Sequence, residues 1–592
     1  MQELKKVYAG RQTEFSASLK EVNKSLRFIS LIRIVLALLF LFLVYVGFSN
    51  SIFFYSLPLV AGGFFYLVSL YNKVFQKSKL LENLVRLNEL EQKALGHDYA
   101  NFKSGERFLD PHHPYSYDLD IFGKGSLFQY LNRCGTAIGE NKLAELLLTP
   151  RSDKKNIDDR QESIKDLCDK IQFRQDFWAH ATLEKNNAFE LAKLLEWSRQ
   201  ENFIEGKLSY KILLVAGPLI TLSTLGVTIF NTTWIPVLLL AMGIQWSIAA
   251  FHAQRITRIQ EVLGKQKQVV ERYAVLLKLL SGQAFTSPFL QTLKEVAVKA
   301  SVKVKEFSEL VNALESRMNA IANMFGNSFF LYDLQSIRKL ERWRDINATE
   351  LPHWLETIAE ADALCALGTF NFNNPSYAFP IIEKKLSIKA EALGHPLIAY
   401  AERIDNDFSQ GNPESIMIVT GANMAGKSTF LRAVGVNIVL ALMGAPVCAK
   451  TFSCPVIGLR SGMRTSDSLQ EHQSYFYAEL HRLQSIMEDL RSGKPLLILL
   501  DEILKGTNST DKQSGSIAIV EQLVKLNALV LLATHDVILG ELQSRFPGRV
   551  NNGCFESQVE GARLTFDYKL KPGVAQKANA TFLMKQMGII PN

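Results

Sequence analysis

Charge is absent from two long stretches of this chain. From Ile34 to Asn72 the sequence runs VLALLFLFLVYVGF, a polar Ser49-Asn50-Ser51, then IFFYSLPLVAGGFFYLVSLY. From Ile212 to Phe251 a second uncharged stretch is broken by Asn231-Thr232-Thr233. A membrane-crossing helix needs ~20 apolar residues, so each stretch predicts two helices joined by a tight turn. Helices of a soluble core normally keep a polar face, and these do not. Lys20, Lys24 and Arg27 precede the first hairpin, and Lys73, Lys77 and Lys79 follow it. Lys207 and Lys211 precede the second, and Arg255 and Arg258 follow it. The turns carry no Lys or Arg. The positive-inside rule then predicts a multi-pass membrane protein, integral through two hairpins, with its soluble domains on the cytoplasmic side. Arg33, at a membrane edge, is expected to snorkel.

Outside these stretches the periodicity changes. Residues 1–27 read as a charged amphipathic helix, and 80–95 (LLENLVRLNELEQKAL) as an extension of the second span into the cytoplasm. Residues 96–205 mix turn signals with short helices. Residues 257–370 are helical, charged and poor in Gly and Pro, as expected of long helices that leave a compact body and return. From about Tyr377, short β-branched runs (SIMIVTG, PLLILLDE, ALVLLATH) alternate with helical stretches, the pattern of a parallel α/β sheet. The expected domains are 1–95 (helix and first hairpin), 96–205 (helical core), 206–256 (second hairpin), 257–375 (helical lever) and 376–592 (α/β domain).

Composition adds limits. The chain has 592 residues, 66 Lys+Arg, 58 Asp+Glu and 47% apolar residues. That excludes a disordered tail, a collagen and a disulfide scaffold. The net charge of +8 is compatible with DNA or an anionic membrane surface and demonstrates neither. The six cysteines form no CxxC pair and read as reduced core thiols.

One motif carries chemistry. Gly421-Ala422-Asn423-Met424-Ala425-Gly426-Lys427-Ser428 fits GxxxxGK[ST], follows the apolar run IMIV and precedes the helical stretch that opens with Thr429. Such a loop turns successive backbone N–H groups and a helix N-terminus toward phosphate. Lys427 is expected to reach the β/γ oxygens of ATP, and Ser428 to ligate Mg²⁺. A second apolar run ends in Asp501-Glu502. Asp501 is the expected second Mg²⁺ holder, and Glu502 the group that polarises the attacking water. A third run ends at His535, placed to sense the γ-phosphate. Together these predict a Mg²⁺-dependent ATPase.

TGANMAGKSTFLRAVG, LLILLDEILKGTNSTD and LLATHD resemble the ATPase domain of the MutS family of DNA mismatch-repair ATPases. SDSLQEHQSYFYAEL is similar to that family's signature loop, with Ser474, Phe476 and Glu479 in matching places. Gly394-His395-Pro396 and Asn406-Asp407 resemble its nucleotide-pocket edge, and GVAQKANATFLMKQMGI its subunit-clasping tail. More weakly, Gly125-Ser126-Leu127, LNRCGTAIGENKLAELLLTP and IDDRQESI resemble the family's core domain, and 257–375 its lever and clamp. The resemblance implies an α/β P-loop NTPase domain beside an all-α core and lever. It also implies a homodimer that shares its ATP sites, with Ser474 reaching the neighbour's γ-phosphate. DNA bound without sequence specificity is the implied partner.

The departures matter too. The mismatch-reading N-terminal domain of the family is expected to be missing, its place being taken by the first hairpin. Phe307-Ser308-Glu309 and Phe203-Ile204-Glu205 match its Phe-x-Glu wedge in the wrong region. Lys294, Lys299, Lys303 and Lys305 cluster where a clamp tip could lie; they read first as a solvated helix face, and alternatively as phosphate contacts that do not read sequence. Two other readings compete: a membrane-tethered ATPase acting on protein partners without DNA, and a transporter-like ATPase. The second is disfavoured by four spans, little intramembrane charge and no LSGGQ-like signature.

Overall fold

The computed structural model describes residues 2–150, 153–183, 188–315, 317, 320–411, 413, 415–464, 475–505, 507–526, 528–560 and 563–576. The charged N-terminal segment and the first apolar run form one unbroken helix, α1 (Gln2–Gly47). Asn50 turns the chain, its side chain accepting from the Ile52 N–H, and α2 (Leu57–Ala94) returns. Arg33 does not reach outward alone: its guanidinium lies 5.0 Å from the Tyr71 ring centroid and 5.7 Å from that of Phe64. Beyond the apolar zone α2 is bolted to the helical core. Glu91 accepts from Nε and Nη2 of Arg133 at 2.7 and 3.3 Å, and both residues are buried.

The core begins with α3 (Leu127–Leu131), α4 (Ala137–Leu148), α5 (Lys154–Cys168), α6 (Ile171–Ala181) and α7 (Ala188–Ser198). Then α8 (Leu208–Phe230) runs to the Asn231 turn, and α9 (Ile235–Gly282) runs back for 48 residues. This helix crosses the 256/257 boundary expected from the sequence, so the second hairpin and the lever share one rod. The return path is α10 (Pro288–Glu315), α11 (Ala320–Phe330), α12 (Tyr332–Asn347) and α13 (Leu351–Asn373). Among the described residues, four helices are long and apolar enough to cross a membrane.

One expectation for the lever changes, and the reading of the two Phe-x-Glu matches as accidental holds. Lys294, Lys299, Lys303 and Lys305 lie along the body of α10, not at a tip, and Lys303 and Lys305 pair with Glu306 and Glu309 at 3.2 and 3.7 Å. Both Phe-x-Glu matches are core: Phe307 stacks on Trp343 with ring centroids 4.4 Å apart, and Phe203 is buried against His252.

Residue Asn373 leads into two sheets. The smaller sheet has the order β1 (Ile381–Glu383), β5 (Thr451–Pro455), β2 (Ser387–Leu393), β3 (Asn406–Gly411). The larger has the order β10 (Arg563–Pro572), β9 (Val550–Glu560), β4 (Ile416–Gly421), β8 (Ala528–Thr534), β7 (Leu496–Asp501), β6 (Gly458–Gly462). From β9 to β6 every neighbour pairs in parallel, and β10 pairs antiparallel with β9. Strands covered on both faces read as continuous apolar runs, which is why IMIV, LLILL and ALVLLAT contain no charge. The helices α14 (Lys427–Leu442), α15 (Tyr475–Arg491) and α16 (Ser509–Val524) complete this domain.

Candidate functional site

Ligands of open parallel sheets bind outside the carboxyl ends of the strands. Here β4, β8 and β7 are adjacent, and each ends in a candidate residue: Gly421, Thr534-His535 and Asp501-Glu502. The loop after β4 turns on positive φ at Gly421 (152°), Met424 (67°) and Gly426 (102°). A Cβ on Gly421 would stand 2.6 Å from the Phe555 carbonyl oxygen, so the backbone packs there as only glycine permits. Lys427 Nζ donates to the Gly421 and Ala422 carbonyls, both at 2.8 Å, and lies over the loop. Burial pulls its ammonium below the usual lysine range, offset in part by Glu502 and Asp501.

One helical position on, Ser428 Oγ donates to Asp501 Oδ2 at 2.5 Å. A hydroxyl and a carboxylate converging at a phosphate loop form the hard-oxygen donor set that Mg²⁺ takes, with waters and phosphate completing an octahedron. The residues therefore fit the ion. Beside them, Glu502 Oε1 accepts from Nδ1 of His535 at 3.1 Å, and Lys505 Nζ stands 3.7 Å from Oε2. Burial pushes the Glu502 carboxyl up, but the His535 hydrogen bond and the charges of Lys505 and Lys427 prevail and hold it below its ordinary value. Glu502 is thus an anion, able to accept a proton.

The loop carrying Glu502 is under backbone constraint, with Glu502 at φ 52° and Leu504 at φ 60°. Glu479 of α15 holds it: its two carboxylate oxygens accept from the N–H groups of Leu504 and Lys505 at 2.5 and 3.2 Å. A cavity of about 640 Å³ opens in front of these groups, lined by residues 423–430 of the loop and helix, by Asp501, Glu502 and Lys505, and by His395, Arg403 and Asn406. Asn406 lines it while its own amide donates to the Tyr568 carbonyl and accepts from the Leu570 N–H, fixing the β10 bulge that sets Tyr568 against Gly426. The structure thus gathers Gly421, Ala422, Asn423, Met424, Ala425, Gly426, Lys427, Ser428, Thr429, Asn406, Asp501, Glu502 and His535. Ser474, with 466–473 of the signature loop, and 577–589 of the tail lie outside the described residues.

Sequence reasoning missed the seam between core and sheet. Asp118, fully buried, accepts from Ser461 Oγ, the Met463 and Arg464 N–H groups, and Arg482 Nη2, all within 2.7–3.1 Å. Asp120 pairs with Arg464 at 2.6 Å and with Arg432, one turn beyond Ser428, at 3.0 Å. Asp118, Asp120, Arg432, Arg464 and Arg482 join the phosphate-loop helix to both flanks of the signature loop. Nothing in the stretch SYDLDIF marks its aspartates as paired; they acquire partners more than 300 residues away.

Comparison with known proteins finds two matching family patterns. The family pattern described as MutS domain III matches residues 116–368, and that described as MutS domain V matches 417–591. The chain belongs to the MutS family. "DNA mismatch repair protein MutS" of Thermotoga maritima is 34% identical over 243 residues, covering 40% of this chain and 29% of the relative. The protein of that name from Thermotoga neapolitana is 28% identical over 320 residues, covering 52% and 36%. "MutS protein homolog 4" of Saccharomyces cerevisiae is 27% identical over 274 residues, covering 45% and 30%. The aligned part of this MutS-family chain thus spans about a third of these relatives' length. The domain III match encloses α8 and the apolar part of α9.

Proposed function

We propose that this chain is a membrane-anchored MutS-type ATPase that hydrolyses Mg²⁺-ATP as a homodimer with shared sites and works on DNA at the membrane surface. The observation that carries the ATPase reading is the 2.5 Å contact of Ser428 with Asp501 beside an ionised Glu502. In this mechanism the N–H groups of the phosphate loop and Lys427 hold and orient the phosphates. Ser428 and Asp501 would hold Mg²⁺, which would supply positive charge to offset that of the phosphates. Glu502, steadied by His535, takes a proton from the attacking water. Glu479 keeps that carboxylate in place through the Leu504–Lys505 backbone. A second subunit's Ser474 closes the open side of the γ-phosphate.

The membrane reading rests on four apolar helices whose lipid-length windows are at most 17% buried, and on the basic flanks. DNA comes from the names of the relatives. The test is ATP turnover by the full chain in vesicles, with and without Mg²⁺ and with plain, mismatched and branched duplexes. Absence of Mg²⁺-dependent turnover overturns the ATPase reading. Turnover indifferent to every duplex, together with no duplex binding, favours a protein partner instead. For the shared site, Lys427→Ala and Ser474→Arg are expected to be nearly inactive alone. They recover activity when mixed, because one site of the mixed dimer then carries neither defect. Verified mixed dimers that bind ATP at one site yet stay inactive would mean that both sites must fire together.

A further inference from the structure

We infer that the tip of the lever, around 323–331, is itself seated in the lipid of the cytoplasmic leaflet, packed against the second hairpin. This rests on the membrane reading of that hairpin. The depth comes from contacts with α8 and α9. Leu331, at the α11–α12 junction, reaches Gly217: a Cβ there would stand 3.3 Å from Leu331 Cδ1 and 3.7 Å from Gln245 Cδ. Gly217 lies six residues inside Lys211, about 9 Å along the axis at 1.5 Å per residue. Gln245 lies ten residues inside Arg255, about 15 Å. If Lys211 and Arg255 mark the interface, the junction is below it, among acyl chains.

The path of the chain agrees. Arg317 Nη1 donates to Thr257 Oγ1 and Gln260 Oε1, at the basic end of the hairpin, at 3.1 and 3.3 Å. From there α11 climbs toward Gly217 and α12 descends again, so the two form a re-entrant elbow. Leu331 makes the bend at φ 48°. Non-helical backbone at membrane depth must be covered by protein, and Leu331 is fully buried. Asn327, Ser328 and Asp333 of the elbow are turned inward. Asp333, 2% exposed, pairs with Arg317 at 3.0 Å, and buried Asn327 accepts from the Asp333 N–H at 3.0 Å.

The opposite face is apolar and open. Met324 and Phe325 are each 51% exposed and Phe330 is 47% exposed, and the rings of Phe325 and Phe329 lie parallel. In water such a patch would be a liability. It continues the exposed apolar surface of α8 and α9, where Val215, Leu219 and Ile244 are more than half exposed. One occupant suits that whole surface: lipid acyl chains. The lever then ends in the bilayer, so any turn of α13 driven by the α/β domain is delivered to the second hairpin.

Fluorescence quenching in vesicles tests this. Single variants Met324→Cys, Phe325→Cys, Leu219→Cys and Val298→Cys of the full chain are labelled with an environment-sensitive maleimide. The unsubstituted chain gives the background from native thiols. Expected is quenching of labels at 324, 325 and 219 by nitroxide-bearing lipids, with protection from aqueous iodide, and the reverse at 298 on the exposed side of α10. Lipid quenching at 219 with iodide quenching at 324 and 325 overturns the seated elbow and leaves the hairpin standing. Iodide quenching at 219 overturns the hairpin reading and the elbow with it.

Discussion

The phosphate-loop cavity and the elbow of the lever stand at two ends of one path, and they are assembled in opposite ways. At the cavity, each functional side chain sits at the end of its own apolar strand, and one sheet brings three strand ends together. At the elbow, nothing within ten residues of Leu331 announces its role. Its meaning comes from Gly217 and Gln245, which lie in another part of the sequence. The first arrangement concentrates charge and hydrogen bonds in a small volume, where single groups have large effects. The second spreads weak contacts over helices bathed in apolar surroundings. If the chain is the nucleotide-driven machine proposed above, it needs both: a stiff place to trap a transition state and a soft place that yields.

The largest expected effect separates the two ends. Glu502→Gln keeps the side-chain shape and removes the base. Turnover is expected to fall by about 10²–10⁴-fold, with ATP binding retained. Nitroxide quenching at 324 and 325 is expected to persist, since the elbow is held by its own contacts. Turnover within about threefold of the unsubstituted chain removes Glu502 from proton transfer.

The same contrast explains what could be read from the sequence. GxxxxGKS, Asp501-Glu502 and His535 were legible because strand, loop and helix are local and the chemistry permits few residue types. The helices of the two apolar stretches were legible because an uninterrupted apolar run of that length folds as helix, with a polar turn in each marking the reversal. What was not legible is pairing over distance. The fusion of the second span with the lever into α9 escaped because no break in helical periodicity marks a membrane surface inside a rod. Asp118 and Asp120 carried no signal in the sequence, because their partners Arg432, Arg464 and Arg482 come from the α/β domain. The lysines of α10 looked like a clamp tip because charge spacing records a helix face and says nothing of where the arm ends.

Asp118 probes the seam between the ends. It is fully buried, and Arg482, its ionic partner, is mostly buried. Removing one member of such a pair leaves the other uncompensated and costs about 3–5 kcal/mol. Asp118→Ala is therefore expected to lower the denaturation midpoint of the detergent-solubilised chain strongly and to reduce turnover as well. A loss under about 1 kcal/mol would mean that Arg482 finds water, and the seam would not be a rigid link.

A pH titration sharpens the comparison without a mutation. Burial, helped by the charge of Arg432, depresses His395 in the cavity wall to about 4. The unfolded chain takes up that proton near pH 6.5. The folded state binds fewer protons between these values. The stability contribution is therefore full above about pH 6.5 and is lost as pH falls toward 4, by up to about 3 kcal/mol. Thermal midpoints at pH 7 and 4.5 are expected to drop more for the unsubstituted chain than for His395→Gln. Equal drops would assign the loss to other groups.

The smallest effect is expected at the membrane end. Gln245 Nε2 donates to the Gly217 carbonyl at 2.9 Å and also contacts Thr221 Oγ1. On the membrane reading, a bond of this kind between helices is worth about 0.6–1.7 kcal/mol, because the separated helices also find polar partners. Gln245→Leu should therefore lower the denaturation midpoint only slightly and leave basal turnover unchanged. Its mark should be positional. With Gln245 no longer holding α8 against α9, Leu331 loses a fixed seat, and labels at 324 and 325 should show weaker lipid quenching or a spread of depths. That sensitivity follows from the same weakness: a contact worth about one kcal/mol changes a two-state ratio by only about fivefold, so either position of the elbow stays within reach of a conformational change driven at the far end. If Gln245→Leu instead suppressed turnover as deeply as Glu502→Gln, the two ends would form one rigid unit, and the division between a stiff site and a yielding one would be wrong.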